Sequence, residues 1–240
     1  MQVRMLGTGS ILTKHLSSCA LIDKRIMLDC PNGVMKAIRG HEIIPTDIDV
    51  CLITHFHADH FFDIPFLLIE QGLRNIREND FIIIGPNGLT NRVDALFDMA
   101  YPEDREKIKI QSKLKTIEIR DSEERIHFNN YVITPYQVEH VGYEAYGYVI
   151  ESSGKSVGFT GDTIMCSGVE KIVQSSDLVF ADMSFEKNSK GHMGMNDIEY
   201  LMDKYNGCCK IIPTHMTDKV RKVFEEKYFK PPVEGDEFIV

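Results

Sequence analysis

At the end of the apolar run Val50-Cys51-Leu52-Ile53 the chain continues as Thr54-His55-Phe56-His57-Ala58-Asp59-His60. Three of the nine histidines and one aspartate fall within this stretch, in the order His-x-His-x-Asp-His. Imidazole and carboxylate together suit zinc, and also iron or manganese. In an extended segment His55 and His57 point to the same side, because side chains alternate with period two. From Asp59 the residues read helical through Ile69, which turns Asp59 and His60 toward a second point. One short segment can then serve two adjacent ions. A pair of capping or core histidines beside an aspartate N-cap is the bland alternative. It does not explain why four ligand-type side chains gather at one strand end.

Composition narrows the partners. The net charge is −9 and the pI about 5.5, so a broadly basic nucleic-acid surface is not indicated, although a local basic patch stays open. Bound cations would also make the site more positive than the formal count. The six cysteines contain no Cys-x-x-Cys pair, and several lie inside apolar runs. They read as buried free thiols of a reducing compartment. The first residues lack the apolar region of a signal peptide, and no apolar run approaches membrane-span length. The expectation is a cytoplasmic protein with no membrane partner. No linker-like or repetitive segment interrupts residues 1–240, which read as a single domain.

A recurring pattern runs along the chain. Val3–Leu6 reads as a strand ending in Gly7-Thr8-Gly9-Ser10, and residues 18–23 and 25–29 as a hairpin turning near Asp23-Lys24. Helices are expected from about Val34 to Arg39, from the histidine cluster to about Arg74, and from Leu89 to Met99. Strands are expected at 81–84, 114–119, 125–128 and 131–136, then in a further segment ending at Glu139-His140. After 146–150, the strand 156–160 runs into Gly161-Asp162-Thr163. Another ends in Asp182-Met183-Ser184, and Lys210–Thr214 is tipped by His215. The Gly191-His192-Met193 loop precedes a helix capped near Asn196 or Asp197. His15, His41 and His127 have no ligand-like neighbours and read as surface or packing residues. Strands thus end in a ligand-type residue at His55 and His57, at His140, at Asp162 and at His215, each before a loop. Together these supply five histidines and two aspartates, enough for two ions that each keep an open position.

The arrangement resembles the metallo-β-lactamase superfamily from Leu6 to His215. The resemblance implies an α/β fold, the metallo-β-lactamase-like four-layer αβ/βα sandwich, with metals at one edge. It implies His55, His57 and His140 on one ion, Asp59, His60 and His215 on the other, and Asp162 bridging. The cofactors implied are two divalent metal ions, zinc first, with manganese or iron as alternatives. Within the superfamily, Leu6-Gly7-Thr8-Gly9, Ile53 through His60 and Gly85-Pro86-Asn87-Gly88-Leu89 resemble ribonuclease Z and its phosphodiesterase relatives. His192 stands where those phosphodiesterases keep a catalytic histidine. Ribonuclease Z carries a long tRNA-gripping arm between the third metal histidine and the bridging aspartate. Here only two strands fit between His140 and Asp162, so tRNA is not the expected partner. The short interval is closer to small cyclic phosphodiesterases of phosphonate breakdown, whose cysteine-rich structural zinc site is missing. A homodimer is a further implication of the resemblance.

The reaction expected is phosphodiester hydrolysis of a small-molecule or nucleotide substrate. A hydroxide bridging the ions, held also by Asp59, is the expected nucleophile, and protonated His192 the donor to the leaving oxygen. A loop histidine that caps the following helix is the plain alternative for His192. Ser184 and the Gly7-Thr8-Gly9 amides are further candidates for substrate contact. Acyl hydrolysis by a lactonase or thioesterase on the same ions is the rival reaction, and it does not require His192. A non-catalytic binding domain on this fold is the rival from another class, one that usually loses ligands.

Overall fold

Alternating apolar residues pair into two sheets, each with helices on its outer face. The computed structural model describes residues 1–73 and 77–240. Its first half contains β1 (Gln2–Gly7), β2 (Cys19–Ile22), β3 (Ile26–Leu28), α1 (Val34–Gly40), β4 (Val50–Leu52), α2 (Ala58–Phe61), α3 (Ile64–Leu73), β5 (Phe81–Gly85), α4 (Leu89–Ala100), α5 (Arg105–Ser112) and β6 (Leu114–Glu118). The second contains β7 (Ile126–Phe128), β8 (Tyr131–His140), β9 (Tyr143–Ser152), β10 (Lys155–Phe159), α6 (Ser167–Gln174), β11 (Leu178–Asp182), α7 (Met195–Lys204), β12 (Lys210–Thr214), α8 (Asp218–Lys227) and β13 (Glu237–Ile239). The sheet orders are β13-β1-β2-β3-β4-β5-β6 and β12-β11-β10-β9-β8-β7.

Period-two patterning separates the layers. On β4, Val50 and Leu52 pack between the sheets with Ile133, Tyr148 and Phe180. Cys51 and Ile53 face the other way, toward Ile38, Ile64 and Phe97 of the helices. On the second sheet, Val149 and Val179 pack outward against Ile172, Ile198 and Phe224. Each such burial contributes roughly 1.5–3 kcal/mol, and a one-residue slip would reverse every side chain, so the pattern also fixes register. The result is the four-layer sandwich implied by the sequence.

Strand direction then gathers the ligand-type residues. β3 and β4 are parallel, as are β10, β11 and β12. Asp29, His55, Asp162 and His215 follow the C-terminal ends of those strands, Asp182 ends β11, and His140 ends β8 at the same edge. Such ends are where open α/β sheets place their sites.

Three sequence expectations differ from the structure. The helix after the histidine cluster is two helices, because Pro65 lacks an N–H and cannot follow Phe61 in one unbroken ladder. Its expected end near Arg74 lies outside the described residues. Residues 131–136 and the segment ending at His140 are one strand. Pro135 is tolerated there because its carbonyl accepts from the Glu123 N–H on the side away from β9, so no ladder bond is lost. Helix α6 was not anticipated. Its amphipathic pattern, with Val169, Ile172 and Val173 buried, is too short to stand out between two strong strand signals. Cys19, Cys30 and Cys51 are buried free thiols as expected, but Cys208 is exposed. Among the described residues no helix is long and apolar enough to cross a membrane.

Candidate metal centre

The strand-end residues converge. His55, His57 and His140 form one group whose ligand atoms lie within 4.8 Å of one another. Asp59, His60 and His215 form a second on the same criterion, and Asp162 groups both with His55 and His60 and with His215. Asp162 Oδ2 lies 3.3 Å from His60 Nε2 and 3.3 Å from His215 Nε2. All seven sequence-derived ligand candidates are therefore at one place, while His15, His41 and His127 belong to none of these groups among the described residues.

Hydrogen bonds on the outer side of the rings set which nitrogen faces inward. His140 Nδ1 lies 2.7 Å from the Gly191 carbonyl, which can only accept, so Nδ1 carries the proton and Nε2 a lone pair. His60 Nδ1 lies 2.7 Å from Asp29 Oδ2, which fixes the same tautomer. Thr54 Oγ1 donates to Asp29, and so accepts from His55 Nδ1 at 3.0 Å. Ser184 Oγ donates to Asp182 Oδ1 at 2.7 Å and accepts from His215 Nδ1 at 2.8 Å. Metal-binding histidines are oriented by such partners.

The inward atoms are the test of whether an ion fits. His55 Nε2, His60 Nε2, His215 Nε2 and Asp162 Oδ1 are buried and have no hydrogen-bond partner among the described residues. Buried polar atoms are ordinarily paired, because each unpaired group costs ~1–3 kcal/mol. Here four of them share one site. His140 Nε2 and His57 Nδ1 face each other at 3.1 Å, a spacing suited to two ligands of one ion. The donor set, imidazole with carboxylate, is that of zinc, manganese or iron.

Electrostatics agree. Burial pulls the His55, His57 and His140 imidazoles below the ordinary histidine value, favouring the neutral form that binds metal. Burial alone would also lower His60, but the charges of Asp162 and Asp29 hold it well above that value. Burial would raise Asp162, yet His215 and His60 keep it well below the usual carboxylate range. Burial acts likewise on Asp59, and the neighbouring His215 and His60 imidazoles outweigh it. The centre is thus a carboxylate site that favours positive charge.

His192 stands beside this group. Its Nδ1 donates to Asp182 Oδ2 at 2.9 Å and lies 3.9 Å from Asp162 Oδ2, and its ring stacks on His215 at 5.3 Å. Burial would lower its pKa, but the hydrogen bond and charge of Asp182 raise it. It does not cap α7. The Gly194 N–H at that helix start is taken by Asp197 Oδ2 at 2.9 Å.

Two expectations need correction. The Thr8 and Gly9 amides both donate to the Leu16 carbonyl at 2.9 Å, so they are not free for substrate. A Cβ on Gly7 would sit 2.0 Å from the Ser17 carbonyl oxygen, so close chain packing explains that glycine. Ser184 is buried and spends its hydroxyl on Asp182 and His215. Two residues were missed, Asp29 and Asp182. Both are fully buried and both follow the strand-end pattern that marked the others. Asp29 (φ 61) and His215 (φ 56) hold left-handed backbone, a conformation that costs ~1–3 kcal/mol and clusters at functional sites.

Comparisons with known proteins agree with this geometry. The family described as anti-Pycsar protein Apyc1 matches residues 1–235. Ribonuclease Z of Agathobacter rectalis is 34% identical over 156 residues, which is 63% of this chain and 48% of that protein. The chain therefore spans about half the length of the curated relatives it matches. Among solved structures, the short form of human tRNase Z superposes with a TM-score of 0.79 at 17% identity, covering 100% of this chain and 99% of that one. The metallo-β-lactamase fold protein YhfI of Bacillus subtilis superposes with a TM-score of 0.76 at 16% identity, covering 99% and 98%. The fold is the metallo-β-lactamase fold.

Proposed function

Because the chain belongs to the anti-Pycsar Apyc1 family, with the metallo-β-lactamase fold and ribonuclease Z among its relatives, we propose that it is a dinuclear metal-dependent phosphodiesterase. The observation that carries this reading is the set of unpartnered inward atoms on His55, His60, His215 and Asp162 beside a histidine held by a buried carboxylate. His55, His57 and His140 would hold one ion, Asp59, His60 and His215 the other, and Asp162 would lie between them. Bound there, the ions supply a nucleophilic water at neutral pH and neutralise charge on the phosphoryl oxygens.

The protein's own residues do the rest. The ionised Asp59 carboxylate accepts a hydrogen bond from the attacking water and orients it. Asp182 fixes Nδ1 of His192 and favours the imidazolium, leaving Nε2–H to donate to the leaving oxygen. Asp29, Thr54, Ser184 and the Gly191 carbonyl hold the ligand rings in register. A small-molecule or nucleotide phosphodiester fits this reading better than tRNA. The interval from His140 to Asp162 holds only β9, β10 and their connections, with no inserted arm. One hydrophobic cluster draws on both sheets, which supports a single catalytic domain.

Acyl hydrolysis on the same ions would have no need of His192, and its replacement separates the two. His192→Ala should lower turnover of bis(p-nitrophenyl) phosphate ~10²–10⁴-fold while metal content stays intact. Unchanged turnover would remove His192 from the mechanism and favour the acyl reading.

A further inference from the structure

Tyr143 stands at the mouth of the metal centre. Its ring centroid lies 4.7 Å from that of His57 in an edge contact and 6.5 Å from that of His140. The residue is 55% exposed, and its hydroxyl has no hydrogen-bond partner among the described residues. A large aromatic ring that is wet on one side and touches a ligand-type histidine on the other is an unpaired stacking surface.

The backbone that carries the ring is held in place. It follows the two-residue turn of the β8–β9 hairpin, where Val141 has φ 43 and Gly142 φ 76. A branched residue in left-handed backbone is a strained outlier. Its side chain rests on the loop that carries His192, since a Cβ on Gly191 would meet Val141 Cγ2 at 2.3 Å. The turn is therefore docked on the loop, which holds the Tyr143 backbone beside His57 and His140. Holding that backbone beforehand removes part of the cost of binding.

Its position decides which part of a substrate it meets. The rings run in sequence from His192 to His140 at 5.0 Å, from His140 to His57 at 4.9 Å, and on to Tyr143. Tyr143 and the proposed proton donor thus both border His140, and among the described residues their rings make no contact with each other. If the leaving oxygen sits at His192, the arm retained on phosphorus is the substituent left to reach Tyr143. We propose that Tyr143 is a specificity-determining residue, an aromatic platform that selects phosphoesters whose retained arm carries a flat ring. This rests on the phosphodiesterase reading for the choice of arm. Stacking of a ring on an aromatic side chain accounts for the expected selectivity of about tenfold or more, the equivalent of ~1.4 kcal/mol.

The test compares bis(p-nitrophenyl) phosphate with methyl p-nitrophenyl phosphate, which share a leaving group and differ in the retained arm. The wild-type preference for the aryl substrate in kcat/KM should fall about tenfold in Tyr143→Ala, mainly through KM, and persist in Tyr143→Phe. Binding of phenylphosphonate against methylphosphonate to the zinc-loaded protein, measured by calorimetry, gives the same comparison without turnover. A preference for phenylphosphonate that is lost in Tyr143→Ala and kept in Tyr143→Phe supports the platform. No preference in the wild type, or one that survives in Tyr143→Ala, overturns it. If the platform holds in binding while neither diester is hydrolysed, the phosphodiesterase reading fails and the platform stands.

Discussion

Asp182 and His192 meet at 2.9 Å, carboxylate oxygen to Nδ1, at the ends of two different segments that share one edge of the sandwich. The same carboxylate accepts from Ser184 Oγ at 2.7 Å and from the Thr163 N–H at 3.1 Å. Asp182 therefore links the proposed proton donor, the ring of His215 through Ser184, and the loop that carries Asp162. A buried carboxylate with its partners satisfied is a fixed charge, and fixed charges tune neighbouring pKa values.

A pH profile reads this pair directly. Burial opposes protonation of His192, and the hydrogen bond and charge of Asp182 overcome it, so its pKa lies above the ordinary histidine value. A raised group stays protonated below both its unfolded and folded values and loses the proton as pH rises through the folded one. Activity that needs the proton should be full on the acid side of that step and fall above it. In Asp182→Asn the alkaline limb of kcat should move to lower pH. A limb that stays in place would detach His192 from it.

Asp29 should matter for metal without touching it. Its carboxylate orients His60 and Thr54, and through Thr54 the ring of His55. Asp29→Asn should weaken zinc affinity ~10–100-fold, the usual effect of losing an outer partner of a ligand. Competition with a chromophoric chelator measures this, with circular dichroism showing that the variant is folded.

Gly191 is tested by adding one methyl group. The residue has φ 85, and a Cβ would lie 2.3 Å from Val141 Cγ2 and 3.0 Å from His140 Nδ1. Gly191→Ala should destabilise the fold by ~1–3 kcal/mol and also weaken zinc binding, because the Gly191 carbonyl orients His140. Urea unfolding with and without zinc separates the two effects.

Removing metal should lower stability by mass action. At free zinc 100-fold above its Kd, a site absent from the unfolded chain adds ~2.7 kcal/mol. Thermal unfolding should therefore shift upward with zinc and back with a chelator. His215→Ala should shrink the shift.

Much of the centre was legible in the chain because five of the seven ligand candidates come at or just after the end of an apolar strand, and a strand end is a strong local signal. His55, His57, His140, Asp162 and His215 all announce themselves in this way. Asp29 and Asp182 obey the same rule, but a lone aspartate before a loop also reads as a turn residue. Only the spatial approach of His60 and His192 reveals their part. Tyr143 was hidden for another reason. Its place beside His57 comes from pairing between β8 and β9 and from the docking of Val141 on Gly191. Tertiary contacts likewise decided the uses of Ser184 and of the Gly7-Thr8-Gly9 loop, where packing against Leu16 and Ser17 replaced the ligand role suggested by local glycine content.

The most direct test is a zinc titration of metal-free protein while hydrolysis of bis(p-nitrophenyl) phosphate is followed. With two ions held by His55, His57, His140, Asp59, His60 and His215 around Asp162, hydrolysis should reach its plateau at two equivalents of bound zinc per chain. A plateau at one equivalent would contradict the dinuclear centre, and no hydrolysis at two bound equivalents would contradict the phosphodiesterase.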